Sequence, residues 1–131
     1  MDLVLKIIFF KGKCRNGWTR YKHKCLKLIN QIAKYSEAEK SCQSIGATLI
    51  SIHSAEENKF AIDLANRDLP MRADVWIGAK RNNSVNYFEW TNGQQFNYSN
   101  WASGEPKNST DPESHFAMTN DGTWGEYTTH F

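Results

Sequence analysis

The segment Asn100-Trp101-Ala102-Ser103-Gly104-Glu105-Pro106-Lys107-Asn108 sets an acid-proline pair, an ammonium and two amides in one polar loop. Such groups hold a cation or a polar ligand through charge and hydrogen bonds, and none of them is a nucleophile beside a base. The rest of the chain also favours binding over catalysis. His23, His53, His115 and His130 are scattered, and neither a Gly-x-Ser-x-Gly elbow nor a His-Glu-x-x-His pair occurs. Glu56-Glu57 fall in the first turn of an expected helix, where acids favour the helix dipole without doing chemistry. Cys14, Cys25 and Cys42 show no Cys-x-x-Cys and no histidine at zinc-ligand spacing, so disulfide chemistry is the better reading. We expect no enzymatic activity.

The loop that carries this segment runs from Thr91 to Glu113 and has too little apolar content to form a core element. Passages of that length inside a compact domain are usually functional loops or disordered segments. Trp101 argues for function: a bulky aromatic in a polar loop most often anchors it to the body, and less often offers a flat face to a ligand. Two helices precede it. Ser36-Glu37-Ala38-Glu39 and Ser54-Ala55-Glu56-Glu57 each read as a capping box, in which a serine oxygen accepts an orphan N–H and a glutamate reaches back. Ala38, Cys42 and Ile45 share a face of the first helix, which Gly46 ends; Phe60, Ala61, Leu64 and Ala65 form the stripe of the second, which Pro70 keeps short. The β-branched link Ala47-Thr48-Leu49-Ile50-Ser51-Ile52 reads as a strand or an extended connection. After Pro70 come brief strand-like pieces, Val75-Trp76-Ile77-Gly78, Tyr87-Phe88-Glu89-Trp90, His115-Phe116-Ala117-Met118 and Gly122-Thr123-Trp124, separated by Asn, Gly and Ser clusters.

A chain of 131 residues, with 40% hydrophobic and 23% charged residues, suits one domain with its own core. A formal charge of +2 is too small to drive nucleic-acid binding by counterion release, so no nucleic-acid partner is expected. The basic residues between Lys6 and Lys27 read as a solvated face. The run Leu3-Val4-Leu5-Lys6-Ile7-Ile8-Phe9-Phe10 is far below the roughly 20 residues a membrane-spanning helix needs, so no span is expected. It reads as a signal remnant or a first strand. Asn16-Gly17 offers a turn between Cys14 and Cys25, so a hairpin closed by a bridge is plausible and implies an oxidising compartment. Cys42 is then left over.

Taken in order, a set of short pieces resembles the C-type lectin-like domain from Cys14 to Phe131: Cys14 with Gly17-Trp18, Lys24-Cys25-Leu26, the helix from Ala38 to Cys42, Ala47 with Leu49, Trp76-Ile77-Gly78, Phe88 with Trp90, Asn100-Trp101, Gly104-Glu105-Pro106, Glu113 and Gly122-Thr123-Trp124. No single piece is specific, whereas their order and spacing together are. The resemblance implies an α+β fold of two helices flanking two small antiparallel sheets, with the ligand site on the long loop. It makes residues 1–13 an N-terminal apolar segment and 14–131 the domain.

In sugar-binding members of that family a Glu-Pro-Asn triplet, a downstream glutamate and a later Asn-Asp pair surround a calcium ion, and two sugar hydroxyls complete its oxygen shell. Carried over residue by residue, the acids fall on Glu105, Glu113 and Glu126, while the two amide positions fall on Lys107 and Gly125. Asn108 restores one carbonyl only if the loop shifts by a residue. Lys107 adds a charge where calcium should sit; a unit charge about 5 Å from a divalent ion, at an effective dielectric of about 20, repels it by several kcal/mol. Its ammonium can instead swing outward, or pair with Glu105 in the calcium's place. An auxiliary calcium position falls on Arg81 and Val85, which supply no carboxylate. Asp121 reads as part of an Asn120-Asp121-Gly122 turn rather than as a ligand. Calcium is thus an open cofactor assignment, with Glu105, Glu113 and Glu126 as its ligands if it binds. The peptide before Pro106 is often cis in such lectins when calcium is bound, and the sequence does not choose.

The resemblance pairs Cys14 with Cys25 and places the partner of Cys42 beyond Phe131, which implies either a chain truncated at its last strand, the preferred reading, or a buried thiol at Cys42. The positions of the family's third bridge fall on His115 and Thr129. Acceptor patterns for N-glycosylation begin at Asn82, Asn97 and Asn108, and a glycan on Asn108 would cover the loop. The expectation is a secreted or extracellular module that binds a carbohydrate or glycoprotein through Glu105, Asn108, Glu113 and Glu126; a calcium-independent module for a protein or other non-sugar ligand is the alternative.

Overall fold

A computed structural model describes residues 2–9, 13–29, 31, 33–68, 74–82, 87–111 and 114–128. Its larger sheet has seven strands in the order β2-β3-β1-β5-β8-β9, with β4 pairing β1: β1 (Asp2–Phe9), β2 (Thr19–Tyr21), β3 (Lys24–Ile29), β4 (Thr48–Leu49), β5 (Asp74–Trp76), β8 (Ser114–Met118) and β9 (Trp124–Thr128). A second sheet pairs β6 (Ala79–Asn82) with β7 (Tyr87–Trp90). The α+β class, two helices and two sheets match the sequence reading. The larger sheet departs from it in one respect, because β1 runs parallel to β5 while its other neighbours are antiparallel. The β2–β3 hairpin turns at Lys22, whose φ of 52° is left-handed, while Asn16-Gly17 makes a separate turn ahead of it. Cys14 and Cys25 form a disulfide.

Helix α1 (Tyr35–Gln43) begins earlier than its serine suggested. Lys34 is the cap residue, and its N–H donates to Glu37 Oε1 at 2.9 Å, so the reach-back comes from Glu37 and Ser36 lies inside the first turn. Tyr35 draws the start inward: it is buried, packs edge-on against Trp76 at 5.6 Å and stacks on His115 at 3.8 Å. Ala38 and Cys42 are buried as expected, but Ile45 lies past the helix and is 40% exposed. Helix α2 (Ala55–Asp68) keeps the serine half of the expected box, with Glu57 N donating to Ser54 Oγ at 3.0 Å, while Glu57 reaches one residue beyond the cap, its Oε1 accepting from His53 N at 2.7 Å. Ala61, Leu64 and Ala65 are buried, and Phe60 packs half-buried on the same core.

The core is aromatic where it must support the loop. Trp76, Trp90, Trp124 and Phe116 are fully buried. Trp124 is oriented by its indole N–H, which donates to Asn58 Oδ1 of α2 at 2.8 Å. Lys24 of β3 pairs with Glu57 of α2 at 2.6 Å and ties the hairpin to the helix. Among the described residues, no helix is long and apolar enough to cross a membrane.

Candidate functional site

The long loop is pinned at three places. Trp101 packs its ring against Phe88 (5.2 Å), Phe116 (5.2 Å) and Trp124 (5.6 Å), so it anchors the loop in the way an aromatic in a polar segment most often does. Backbone bonds fix the same point, with Trp124 N donating to Asn100 O at 2.8 Å and Ala102 N to Trp124 O at 2.9 Å. The Gly122 carbonyl accepts both Asn100 Nδ2 from the loop (2.8 Å) and Asn58 Nδ2 from α2 (2.9 Å). At the start of the loop, Gln94 Oε1 meets His53 Nε2 at 2.7 Å and Ser51 Oγ at 2.9 Å, and Asn92 Nδ2 donates to Ser51 Oγ at 2.8 Å.

This scaffold brings Glu105, Lys107, Asn108 and Glu126 together with Arg81. Lys107 Nζ pairs with Glu105 Oε2 and donates to the Glu126 carbonyl at 3.0 Å. Glu105 Oε1 accepts from Glu126 N at 2.8 Å. The guanidinium of Arg81 meets Glu126 twice, at 2.9 and 3.3 Å, and also donates to Ser109 O at 2.8 Å and to Asn108 Oδ1 at 3.5 Å. Its flat face lies against Phe88 (5.3 Å) and Phe116 (5.7 Å). Burial works to raise the Glu126 carboxyl, but hydrogen bonds from Arg81 and Ser109, with the charge of Arg81, outweigh it and hold the group below its ordinary range. The Glu105–Pro106 peptide is cis, and Asn108 sits at φ 57°. Glu113 lies outside the described residues, as do Val85 and Thr129.

Among the described residues, Glu105, Asn108 and Glu126 do not offer calcium an open oxygen shell. A hard divalent cation needs six to eight oxygens, most with open lone pairs. Here both carboxylates already face cations of the chain itself, Lys107 on one and Arg81 on the other. Among the described residues, no group of three or more His, Cys, Asp or Glu side chains is placed to hold a metal. Asp121 belongs to the expected turn: its Oδ1 accepts from Thr119 Oγ1 (2.7 Å), Thr123 Oγ1 (2.6 Å) and Thr123 N (3.0 Å). These bonds, those from Thr123 first, lower its carboxyl to about 2. Sequence reasoning placed Arg81 only as the loss of a ligand. Its role as the partner of Glu126 depends on a β6 contact that no local motif announces, and the one available signal was a cation at a position where the resemblance implied an acid.

Residues 31–130 match the family model described as Lectin C-type domain. The chain is 30% identical over 128 residues to the low affinity immunoglobulin epsilon Fc receptor of Mus musculus, a match that covers 95% of this chain and spans only 37% of that receptor's length. A solved structure of the cow C-type carbohydrate-recognition domain of CD23 in the presence of GlcNAc2Man3 oligosaccharide superposes with a TM-score of 0.75 at 30% identity, covering 87% of this chain and 84% of that one. A calcium-independent type II antifreeze protein superposes with a TM-score of 0.77 at 26% identity, covering 88% of this chain and 85% of that one.

Proposed function

Because this chain belongs to the C-type lectin domain family, we propose that it is a reversible carbohydrate-binding module whose loop face works without calcium. One observation carries this reading: Lys107 and Arg81 occupy the carboxylates that would otherwise ligate the ion. Cations of the chain itself face both carboxylates, Arg81 from the buried side of Glu126 and Lys107 from the exposed side of Glu105, so no external ion is needed to offset their charge. The solved relative named as calcium-independent supports it, and the CD23 domain solved with an oligosaccharide supports the ligand class. The recognition unit comprises residues 14–131 together with β1. The Cys14–Cys25 bridge favours an oxidising compartment, in keeping with a secreted or extracellular module.

The test is a glycan array probed once with calcium and once with excess chelator, alongside thermal unfolding in both. Saccharide signals should be unchanged by the chelator. About 1 mM calcium should shift the midpoint by less than about 1 °C, since only a ligand of the native state raises it. A rise of several degrees, or signals that vanish with the chelator, would sink the calcium-independent reading. A protein ligand on the same face is the second reading, favoured by the immunoglobulin receptor among the relatives. It predicts a blank array and a saturable protein partner.

A further inference from the structure

The charges of the loop site lie at two depths. The side chains of Glu105 and Glu126 are 13% and 1% exposed, and that of Arg81 is 16%, whereas Lys107 is 57% exposed. The negative charge is therefore inside and faces its own cations, and the ammonium is in front.

The hydrogen-bonding polarity of the rim follows the same division. Glu105 Oε1 accepts from Glu126 N, its Oε2 faces Lys107, and both oxygens of Glu126 face Arg81. An ammonium has three N–H bonds. Lys107 directs one to Glu105 and one to the Glu126 carbonyl, and the third has no partner among the described residues. The ammonium also lies over the ring of Tyr127, 5.4 Å from its centroid, a contact that leaves its outer, 57% exposed face to solvent. Asn108 is exposed, and its amide oxygen lies 3.5 Å from the Arg81 guanidinium, so its N–H pair is the part of the amide left to donate to a ligand. Among the described side chains of this charged cluster, the two that are exposed, Lys107 and Asn108, both present N–H donors.

A neutral sugar diol is poorly matched to such a rim. Each hydroxyl hydrogen needs an acceptor, and the carboxylates of Glu105 and Glu126 are buried and already engaged. An anionic oxygen cluster is well matched, because it offers acceptors only and gains charge assistance from the ammonium. We propose that this site takes acidic saccharides, seating a carboxylate or sulfate group on the third N–H of Lys107 and the amide N–H of Asn108. The inference rests on the carbohydrate reading above and names the class of sugar within it.

The test is an array of matched saccharide sets, each as the neutral parent, a carboxylated form and a sulfated form, probed with the full chain and with Lys107→Gln and Lys107→Arg at two ionic strengths. The acidic members should bind at least about 10-fold more tightly than their parents, and raising salt from about 0.05 to 0.5 M should erode that preference. Lys107→Gln should abolish the preference with the thermal midpoint nearly unchanged, and Lys107→Arg should keep most of it. The carboxylated and sulfated arms show which anion is seated. Equal binding of neutral and acidic members, or a preference that survives Lys107→Gln, overturns the inference and leaves the carbohydrate reading standing. Silence from every saccharide overturns both.

Discussion

Two lysine–glutamate pairs in this molecule use the same two side chains for opposite purposes. Lys24 and Glu57 are 12% and 4% exposed and join the β2–β3 hairpin to α2. The second oxygen of that glutamate caps the helix through His53 N, so the pair is closed on every side that matters to it. Lys107 and Glu105 hold the loop, but the lysine is 57% exposed and keeps a donor for something outside. A buried pair is expensive to break because the surviving charge stays desolvated, whereas an exposed one adds little stability. What separates the two pairs is depth, and depth is set by elements far from either residue in the chain.

The sharpest way to break this contrast is Lys24→Met, which leaves Glu57 buried beside an apolar side chain. Denaturant titration should show a loss of about 3 kcal/mol; a loss below about 1 would mean the pair is not sealed. Arg81→Met tests the cation behind the loop in the same way. It should cost about 2 kcal/mol, since Glu126 keeps its backbone donor from Ser109 but loses the guanidinium. Lys107→Gln sits at the other end of the comparison and should cost no more than about 0.5 kcal/mol after solvent screening, while altering ligand preference.

A smaller effect is expected on acidification. The folded carboxyl of Glu126 lies below its ordinary value of 4.5, so its contribution is complete above that pH and fades as pH falls through the lower folded value. Asp121 adds a similar loss between 3.8 and about 2. Arg81→Met should flatten the Glu126 part of the acid limb and leave the Asp121 part, as fluorescence-detected unfolding at stepped pH would show. The smallest response belongs to Lys107→Asn in calcium. It restores an amide but leaves Arg81 on Glu126, so the midpoint should move by less than about 1 °C, and a clear rise would refute the assignment of Arg81 as the second internal cation.

The elements that local chemistry dictates were legible in the chain. Ser54 and Glu57 announced α2, Gly46 ended α1, the Asn120-Asp121-Gly122 turn formed as its residues require, and Trp101 anchored the loop. The start of α1 was misplaced because burial of Tyr35 against Trp76 and His115 outweighs the capping preference of Ser36, and no local pattern reports that packing. At the candidate site, resemblance to a ligand set singled out Glu105 and Glu126, which the fold makes neighbours, and the pairing of Lys107 with Glu105 was one of the two alternatives the sequence offered. Arg81 escaped because its meeting with Glu126 depends on how β6 and β9 are placed, a tertiary fact with no spacing signature.

The carbonyl of Gly122 couples two distant parts of the molecule. It accepts a side-chain amide from α2 and another from the ligand loop, and a Cβ on this residue would approach the Asn58 amide nitrogen to 3.1 Å. The same residue holds φ +88°, which L side chains rarely adopt. One oxygen atom is therefore a shared anchor, bonded at once to the helix through Asn58 and to the loop through Asn100. A substitution in α2 that displaces Asn58 should thus be felt at Asn100 and Trp101, residues the helix itself does not carry.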